Sequence, residues 1–560
     1  MNKAVLFILF ASMLLVQKID AKNPDVYKVS YANYENARVG NEPSTSILYA
    51  ENIVALDAAT NQIQSFIDFE KNQNLDFITF EEELFKLITS FDSLPKPFLK
   101  SDLENILGYE CKHAEFTSFS NKIEVWYTEE AKAKGSPYKN YLPTKNALVL
   151  KVVINGSYGL VATKIEKLKK AALPILPSGN AKQISSAEFE ELKIKSRYKS
   201  IQIFSKEIVN FEGDLDPPVG DLKANKTYRF SKGTVILRKI GLPQMLKEGA
   251  YVYAKLTCSS LGDAYDRTGS VFLLPVNSNK LSMLNALQFG VDKLPVTKDN
   301  LGEEYQGFVS DENYTVPTEV MRFFTSFGVD YFNNRRPINN YNWENSAVYK
   351  QEITTLIPND NDSVWVGVFI GNYSKEGHQV SLELDFYPGF ENPENTQKLI
   401  EPLFLTVNLM EMSGQNYPNL FGNDTLKVEF DVPENAENLQ LLFTSTGHGG
   451  WGGGDEFNQK INQIFIDGNE VYKVIPWRTD CASYRFSNPA SGNFSNGMSS
   501  SDLSRSNWCP ATLTPPYIVP LKNLSSGHHS LKLVINQGEA EGGSFSHWGV
   551  SGVLVGNLKE

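Results

Sequence analysis

The sequence is poor in the residue patterns that mark the common catalytic classes. Its six histidines are scattered, none falls in an HxH or HExxH string, and CxxC is missing too, so the usual zinc-ligand spacings do not occur. A metal-dependent hydrolase or a copper oxygenase is disfavoured, and neither a metal nor a cofactor is expected. No Gly-Lys-Ser/Thr phosphate loop, no GxGxxG entering a helix and no G-x-S-x-G elbow is present, which removes the footing for nucleotide binding and for one large class of serine hydrolase. Basic residues are the minority, 53 Lys and Arg against 65 Asp and Glu, for a formal charge of −12. Such a balance argues against nucleic acid or an anionic membrane surface as partner.

Long apolar runs are also missing, with one exception at the start. Ala4 to Val16 is apolar, follows Lys3 and is followed by Gln17, Lys18 and Asp20. That is the build of a secretory signal, too short to span a bilayer. Residues 1–21 are read as the signal peptide, with cleavage after Ile19-Asp20-Ala21 and a secreted or periplasmic destination. Cysteine is scarce, with Cys111, Cys258, Cys481 and Cys509 only. Cys481 and Cys509 flank a loop rich in Ser, Asn and Gly and are the expected disulfide; nothing in the sequence decides whether Cys111 and Cys258 pair.

What the chain does have is aromatics, 34 Phe and 25 Tyr, which suit strands and sugar-stacking surfaces alike. Residues 22–195 read as a mixed α/β domain. Thr79-Phe80-Glu81-Glu82 has capping-box form ahead of the stripe Leu84, Leu87, Ile88, Phe91, and Ser101 with Glu104 repeats it, so two helices are expected there. Ala147 to Ala162 around Asn155-Gly156 reads as a hairpin. Lys164 to Ala172 reads as a further helix, and Leu173 to Ser200 as a linker. From Ile201 onwards short alternating runs recur between Gly, Pro, Asn and Asp clusters, the texture of antiparallel β-sandwiches. A first β block over 201–390 and a second over 391–560 would leave a groove between them, a common place for a ligand.

Two stretches carry candidate chemistry. Gly447 to Phe457 (GHGGWGGGDEF) is a glycine-rich loop that offers Trp451 as a flat apolar face and delivers Asp455 and Glu456 to the mouth of a sheet. A hairpin closing at Asp467-Gly468 follows it. In the first β block, Asp263, Asp266 and Arg267 crowd one short turn, where the arginine would hold a carboxylate ionised and oriented. Either stretch alone reads as a solvated loop. Together they supply carboxylates from two β blocks, which is what a metal-free hydrolysis of a sugar linkage requires. His528-His529, Glu539 and Glu541 read as surface decoration.

In these residues the chain resembles the bacterial peptide-N-glycosidase F family. Asp263-Ala-Tyr-Asp266-Arg267 looks like the family's D-x-[WY]-D-R turn. Glu456, Cys481 and Ser504-Arg505-Ser506-Asn507-Trp508-Cys509 follow in the family's order. The match covers about residues 201–560, and the extra N-terminal domain is similar to that of the longer, second type, with its bowl-like module. The resemblance implies a mainly β fold of two adjacent eight-stranded antiparallel jelly rolls with the active site at their interface. It implies hydrolysis of the amide between the innermost N-acetylglucosamine and asparagine of N-glycosylated peptides and proteins by a monomer. Asp266 matches the principal catalytic aspartate and Glu456 an assisting glutamate. Arg505, Arg267 and Trp508 match substrate-contacting residues, joined here by Asp263 and Trp451.

One departure stands out. Gly371 falls where the family archetype carries a second glutamate, and Tyr373 stands in for a neighbouring aromatic. The loss is expected to empty space beside the first sugar and to admit a core α1,3-linked fucose. Two other readings remain open on the sequence: a non-catalytic glycan binder displaying Trp451, Trp508 and Trp548, and an endoglycosidase using the same carboxylates.

Overall fold

A computed structural model describes residues 25–559 apart from 51, 57–62, 169–174, 178, 248, 277, 390–396, 450–453 and 540–545. The segment read as an export signal, Trp451 and Glu541 therefore lie outside the described residues. The chain divides into two compact units, Met1–Ser196 and Arg197–Glu560.

The N-terminal unit is a single twelve-stranded sheet with Val26–Glu35 near its middle. The hairpin around Asn155-Gly156 forms as expected, pairing Ile154 with Tyr158. The helices do not. Leu84 to Phe91 runs along the strand Glu83–Ser90, hydrogen-bonded to Gln73–Phe80, and Ser101 and Glu104 lie in the strand Phe98–Ile106. The misreading has a simple cause. Leu84 and Ile88, or Leu87 and Phe91, are four apart, a spacing that shares a face in a helix and, being even, also in a strand. Leu84 and Ile88 pack on Phe66, Leu75 and Phe77. The intervening Glu81 and Glu82 take up φ of 48° and 68°, a hairpin turn made without glycine. Lys164 to Leu168 continues the strand Tyr158–Leu168, and the rest of that expected helix lies outside the described residues. Among the described residues the one α-helix of this unit, Ser186–Lys195, sits in the stretch read as linker. A genuine capping box starts it, with the Ser185 hydroxyl on the Glu188 N–H and the Glu188 carboxylate back on Ser185.

The second unit holds two antiparallel jelly rolls. In the first, a four-stranded sheet (including Tyr251–Ser260 and His378–Tyr387) faces a six-stranded one (including Val235–Gly241, Thr268–Leu274, Thr318–Phe324 and Ser363–Ile370). The sixth strand, Leu513–Thr514, belongs to the second roll and pairs with Arg322 and Phe323. The second roll packs two four-stranded sheets, eight strands in all, one of them carrying Gln397–Leu405, Ala436–His448 and His547–Leu558. The alternating runs from Ile201 onwards form antiparallel strands in both rolls, as expected. The Asp467-Gly468 hairpin forms too, both residues at positive φ.

The two rolls share a core: Leu442, Ala511, Val553 and Val555 of the second pack into the main cluster of the first. A buried ion pair lies in the same seam. Arg322 donates from Nε and Nη2 to the two oxygens of Glu319 at 2.7 and 2.8 Å. From Nη1 it donates to Thr446 Oγ1 at 2.9 Å and the Gly549 carbonyl at 3.0 Å in the second roll. Ser270 and Ser551 donate to the remaining lone pairs of Glu319. Arg322 and Glu319 are 1% and 6% exposed, so only this full set of partners makes the burial tolerable. Gly549 has to be glycine here, because a Cβ would stand 2.9 Å from Arg322 Nη1.

Candidate active site

The turn after Tyr251–Ser260 is locked from within. Asp263 is 2% exposed. It accepts from Arg267 Nε at 2.9 Å and from the Tyr265 N–H at 3.1 Å, while Ser260 Oγ donates to its carbonyl. Thr325, just beyond the strand Thr318–Phe324, accepts from the Arg267 N–H and donates to the Tyr265 carbonyl. With its neighbours fixed in this way, Asp266 is left projecting. Asp263 itself faces inward as a brace.

The glycine-rich loop divides its two acids in the same manner. Asp455 is fully buried and accepts from Trp548 Nε1 at 2.7 Å and from the Gly538 N–H. Ser506 Oγ donates to its carbonyl. That anchorage turns Glu456 outward. Arg505 comes from a segment pinned by the Cys481–Cys509 disulfide and by paired backbone hydrogen bonds between Arg478 and Arg505. Cys111 and Cys258 are free and buried.

These three side chains meet. Arg505 Nη1 donates to Asp266 Oδ2 at 2.9 Å and also to Glu456 Oε1. Its Nη2 donates to the Ser500 carbonyl, and its guanidinium lies 4.4 Å from the Trp508 ring centroid. Trp508 is buried, stacks on Phe324 and donates to the Gly447 carbonyl. Desolvation pushes the Glu456 carboxyl up to about 8; Arg505 opposes this, and the neighbouring Asp266 adds to it. Asp266 is raised as well, by burial, against the pull of Arg505. The pair therefore tends to hold a shared proton near neutral pH, with the two titrations belonging to the pair.

A cavity of 410 Å³ opens beside the trio, bounded by Arg267, Gly371 and Tyr373 on one side and by Glu411, Tyr417, His448 and Trp508 on the other. The space at Gly371 is not empty. A Cβ there would meet Glu411 Oε2 at 3.1 Å, so a carboxylate from the second roll stands where the first roll lacks one. Tyr373 and Tyr417 both donate to Glu411 Oε1, and burial raises the Glu411 carboxyl. Val407, Leu409 and Met410 deliver it by packing among Phe369, Trp365 and their neighbours in the first roll. Burial, foremost, lowers His448 well below the usual imidazole range, so it lines the cavity as a neutral ring.

The chain matches family models described as Peptide-N-glycosidase F, N terminal, over residues 200–386, and Peptide-N-glycosidase F, C terminal, over 416–555. A third, N-glycanase peptide, N-terminal domain, matches residues 30–190. PNGF-II, solved in two crystal forms, is 38% identical in each, with TM-scores of 0.81 and 0.76. Those alignments cover 96% of this chain and 100% and 99% of the other. This chain belongs to the peptide-N-glycosidase F family. The shorter PNGase F from Flavobacterium meningosepticum is 14% identical with a TM-score of 0.41, over 65% of this chain and 96% of its own. Comparison with curated proteins finds no match.

Within this family member the structure brings Asp266, Arg267, Gly371, Tyr373, Glu456, Arg505 and Trp508 around one cleft. Asp263 stands behind it, and Trp451 lies outside the described residues. Trp508 and Trp548 are buried, so neither is displayed on the outer surface, while Trp508 lines the cavity. Glu411, Tyr417 and His448 were not singled out from the sequence. The available signal for Glu411 was one acid inside the apolar run Leu405 to Met412 (LTVNLMEM), where a charge without purpose is costly.

Proposed function

We propose that this protein hydrolyses the amide joining the innermost N-acetylglucosamine to asparagine, leaving aspartate in the peptide and releasing a glycosylamine that decays to free glycan and ammonia. The carrying observation is the single Arg505 nitrogen that hydrogen-bonds carboxylates from both rolls. Asp266, ionised beside Arg505, activates the water that attacks the amide carbon. Glu456, which carries a proton below about pH 8, positions that water and passes its proton to the departing nitrogen. Arg505 steadies the charge that develops between them. Water supplies the hydroxyl of the new carboxyl; its other proton passes to Asp266 while Glu456 gives its own to the amine, so the pair begins and ends with one proton.

An inverting glycosidase spaces its carboxyl groups ~6.5–9.5 Å apart to admit water, which two oxygens held on one nitrogen do not satisfy. The substrates are N-glycosylated peptides and proteins met after export, a setting that suits the disulfide. The same reading extends to core α1,3-fucose: Gly371 presents no side chain to the cavity, and the Glu411 carboxylate beside it, held at Oε1 by two tyrosines, offers Oε2 as an acceptor to a sugar hydroxyl.

The test is the mass of the peptide released from a dansylated glycopeptide. The mass of Asp in place of Asn supports the amidase, one retained sugar means an endoglycosidase, and no change means a binder. Asp266→Asn should lower the rate by at least ~100-fold with the melting curve preserved, since it removes the base and keeps the shape. An unaltered rate dismisses Asp266 from the role.

A further inference from the structure

A second cavity, of 400 Å³, meets the first at Asp266, Gly449 and Glu456 and shares no other lining residue with it. Its walls mix polar and apolar groups as the first cavity's do, but the residues are different. The first cavity presents guanidinium, carboxylate, phenol and amide groups through Arg267, Glu411, Tyr417 and Asn408. The second presents three aromatic rings, Tyr265, Phe327 and Phe457, beside Ser500 and Arg505, with Ala264, Ala490 and Gly492 leaving the floor low.

An N-linked amide carries two bulky substituents, a sugar on the nitrogen side and a polypeptide on the carbon side. A site that cuts this bond needs two exits diverging from its carboxylates. Hydroxyl-rich sugars are matched by the donors and acceptors that Arg267, Asn408, Glu411 and Tyr417 bring to the first cavity. An extended polypeptide is matched by small residues that let a backbone approach and by aromatic faces that take apolar side chains. Resting on the amidase reading above, we infer that the second cavity is the polypeptide subsite, and that its occupant is an extended segment with apolar residues flanking the glycosylated asparagine.

The surface continues the cavity in that sense. Phe327 is fixed by Asn488, whose Oδ1 accepts from its N–H at 2.9 Å, and by Ala490, whose N–H donates to its carbonyl at 2.9 Å. Next to these loops lies a shelf of aromatics. Tyr341 packs against Phe486 at 4.9 Å and against Trp343 at 5.5 Å, and the Glu344 N–H donates to the Phe486 carbonyl. Tyr265 is 62% exposed, Tyr331 42%, Phe486 43% and Tyr341 40%. Of these, Tyr265 lines the cavity and the others lie on the loops that carry Phe327 and Ala490; large aromatic side chains left in water so close together mark a contact surface.

Two measurements test the assignment. Asp266→Asn is photo-crosslinked to a glycopeptide carrying a benzophenone side chain next to its glycosylated asparagine. Adducts at Phe327, Tyr331 to Trp343 or Phe486 to Gly492 are expected; adducts at Tyr373, Glu411 or Tyr417 overturn the proposal. Second, Tyr341→Ala and Phe486→Ala, both at exposed positions, are assayed on a long glycopeptide and on a blocked glycosyl-asparagine. The ratio of the two kcat/KM values should fall about tenfold through KM, the size of one lost aromatic anchor. An unchanged ratio, or an equal loss on both substrates, rejects the subsite. Wild-type enzyme that converts neither substrate would instead bring down the amidase reading, while the crosslinks still report where the peptide lies.

Discussion

Arg322→Met offers a quantitative test of the seam between the rolls. The change removes two charged hydrogen bonds to Glu319 and two more to Thr446 and Gly549. Glu319 keeps only the hydroxyls of Ser270 and Ser551 and is left as a buried, unpaired carboxylate. Breaking such a pair from one side costs about 3–5 kcal/mol. The sign of the pH dependence follows. A stranded carboxylate is relieved by taking a proton in the folded state, so the deficit should be full at pH 8 and shrink towards pH 5. Urea titrations of wild type and variant at both pH values measure this. Glu319→Leu with Arg322→Met should be no less stable than Arg322→Met alone, because the second change removes the charge that the first one strands. Activity should fall at least about tenfold, since the strand that carries Arg322 runs on to Thr325 and the turn of Asp266, and small misplacements near reacting groups are expensive. A deficit below ~1 kcal/mol, or one that does not change with pH, would falsify the claim that the pair is buried and satisfied only by its partner.

Three further outcomes are expected. The kcat/KM profile should fall on the alkaline side with an apparent pKa near 8, because burial raises Glu456 within the carboxyl pair; Glu456→Gln should be slow and lack that limb, and a limb that persists assigns it to another group. Because burial favours the neutral form of Glu456, the same substitution should also raise the melting temperature at pH 9 relative to wild type. Gly371→Trp should reduce release of α1,3-fucosylated plant glycans at least about tenfold more than release of unfucosylated ones, through loss of space beside Glu411; equal losses, or a wild type inert towards fucosylated substrate, discard the fucose reading. Removing the disulfide with Cys481→Ser and Cys509→Ser, which opens a loop of sequence separation 28, should cost about 3–4 kcal/mol by chain entropy and slow catalysis by loosening Arg505. A melting temperature unchanged by the double substitution would contradict this.

The β architecture of the second unit was legible because its turns announce themselves: Asp467-Gly468 and the alternation of Val380 to Phe386 leave little choice of period. The N-terminal sheet was harder to read. Its turn at Glu81-Glu82 uses left-handed backbone without glycine, and its apolar residues sit at intervals shared by helix and strand. The short capping box that does nucleate a helix, at Ser185, lies in a polar stretch of low amphipathicity. At the site, Asp266, Glu456 and Arg505 were visible through local motifs. Glu411 belongs to no motif, and its partners Tyr373 and Tyr417 lie 38 and 6 residues away, so only folding brings the group together. Asp263 and Asp455 look in sequence like equals of Asp266 and Glu456. Burial alone separates the braces from the acids that face the cleft.

The strand Leu513–Thr514, lent by one roll to the other's sheet, bears on how the chain could be dissected. A fragment ending at Tyr387 would bare the rim of Thr318–Phe324 that Leu513–Thr514 covers at Arg322 and Phe323, leaving it paired on its other side alone, and would strip Phe324 of Trp508. Such an uncapped edge recruits foreign strands, so that half expressed alone should form aggregates, and co-expression with the remainder should rescue it.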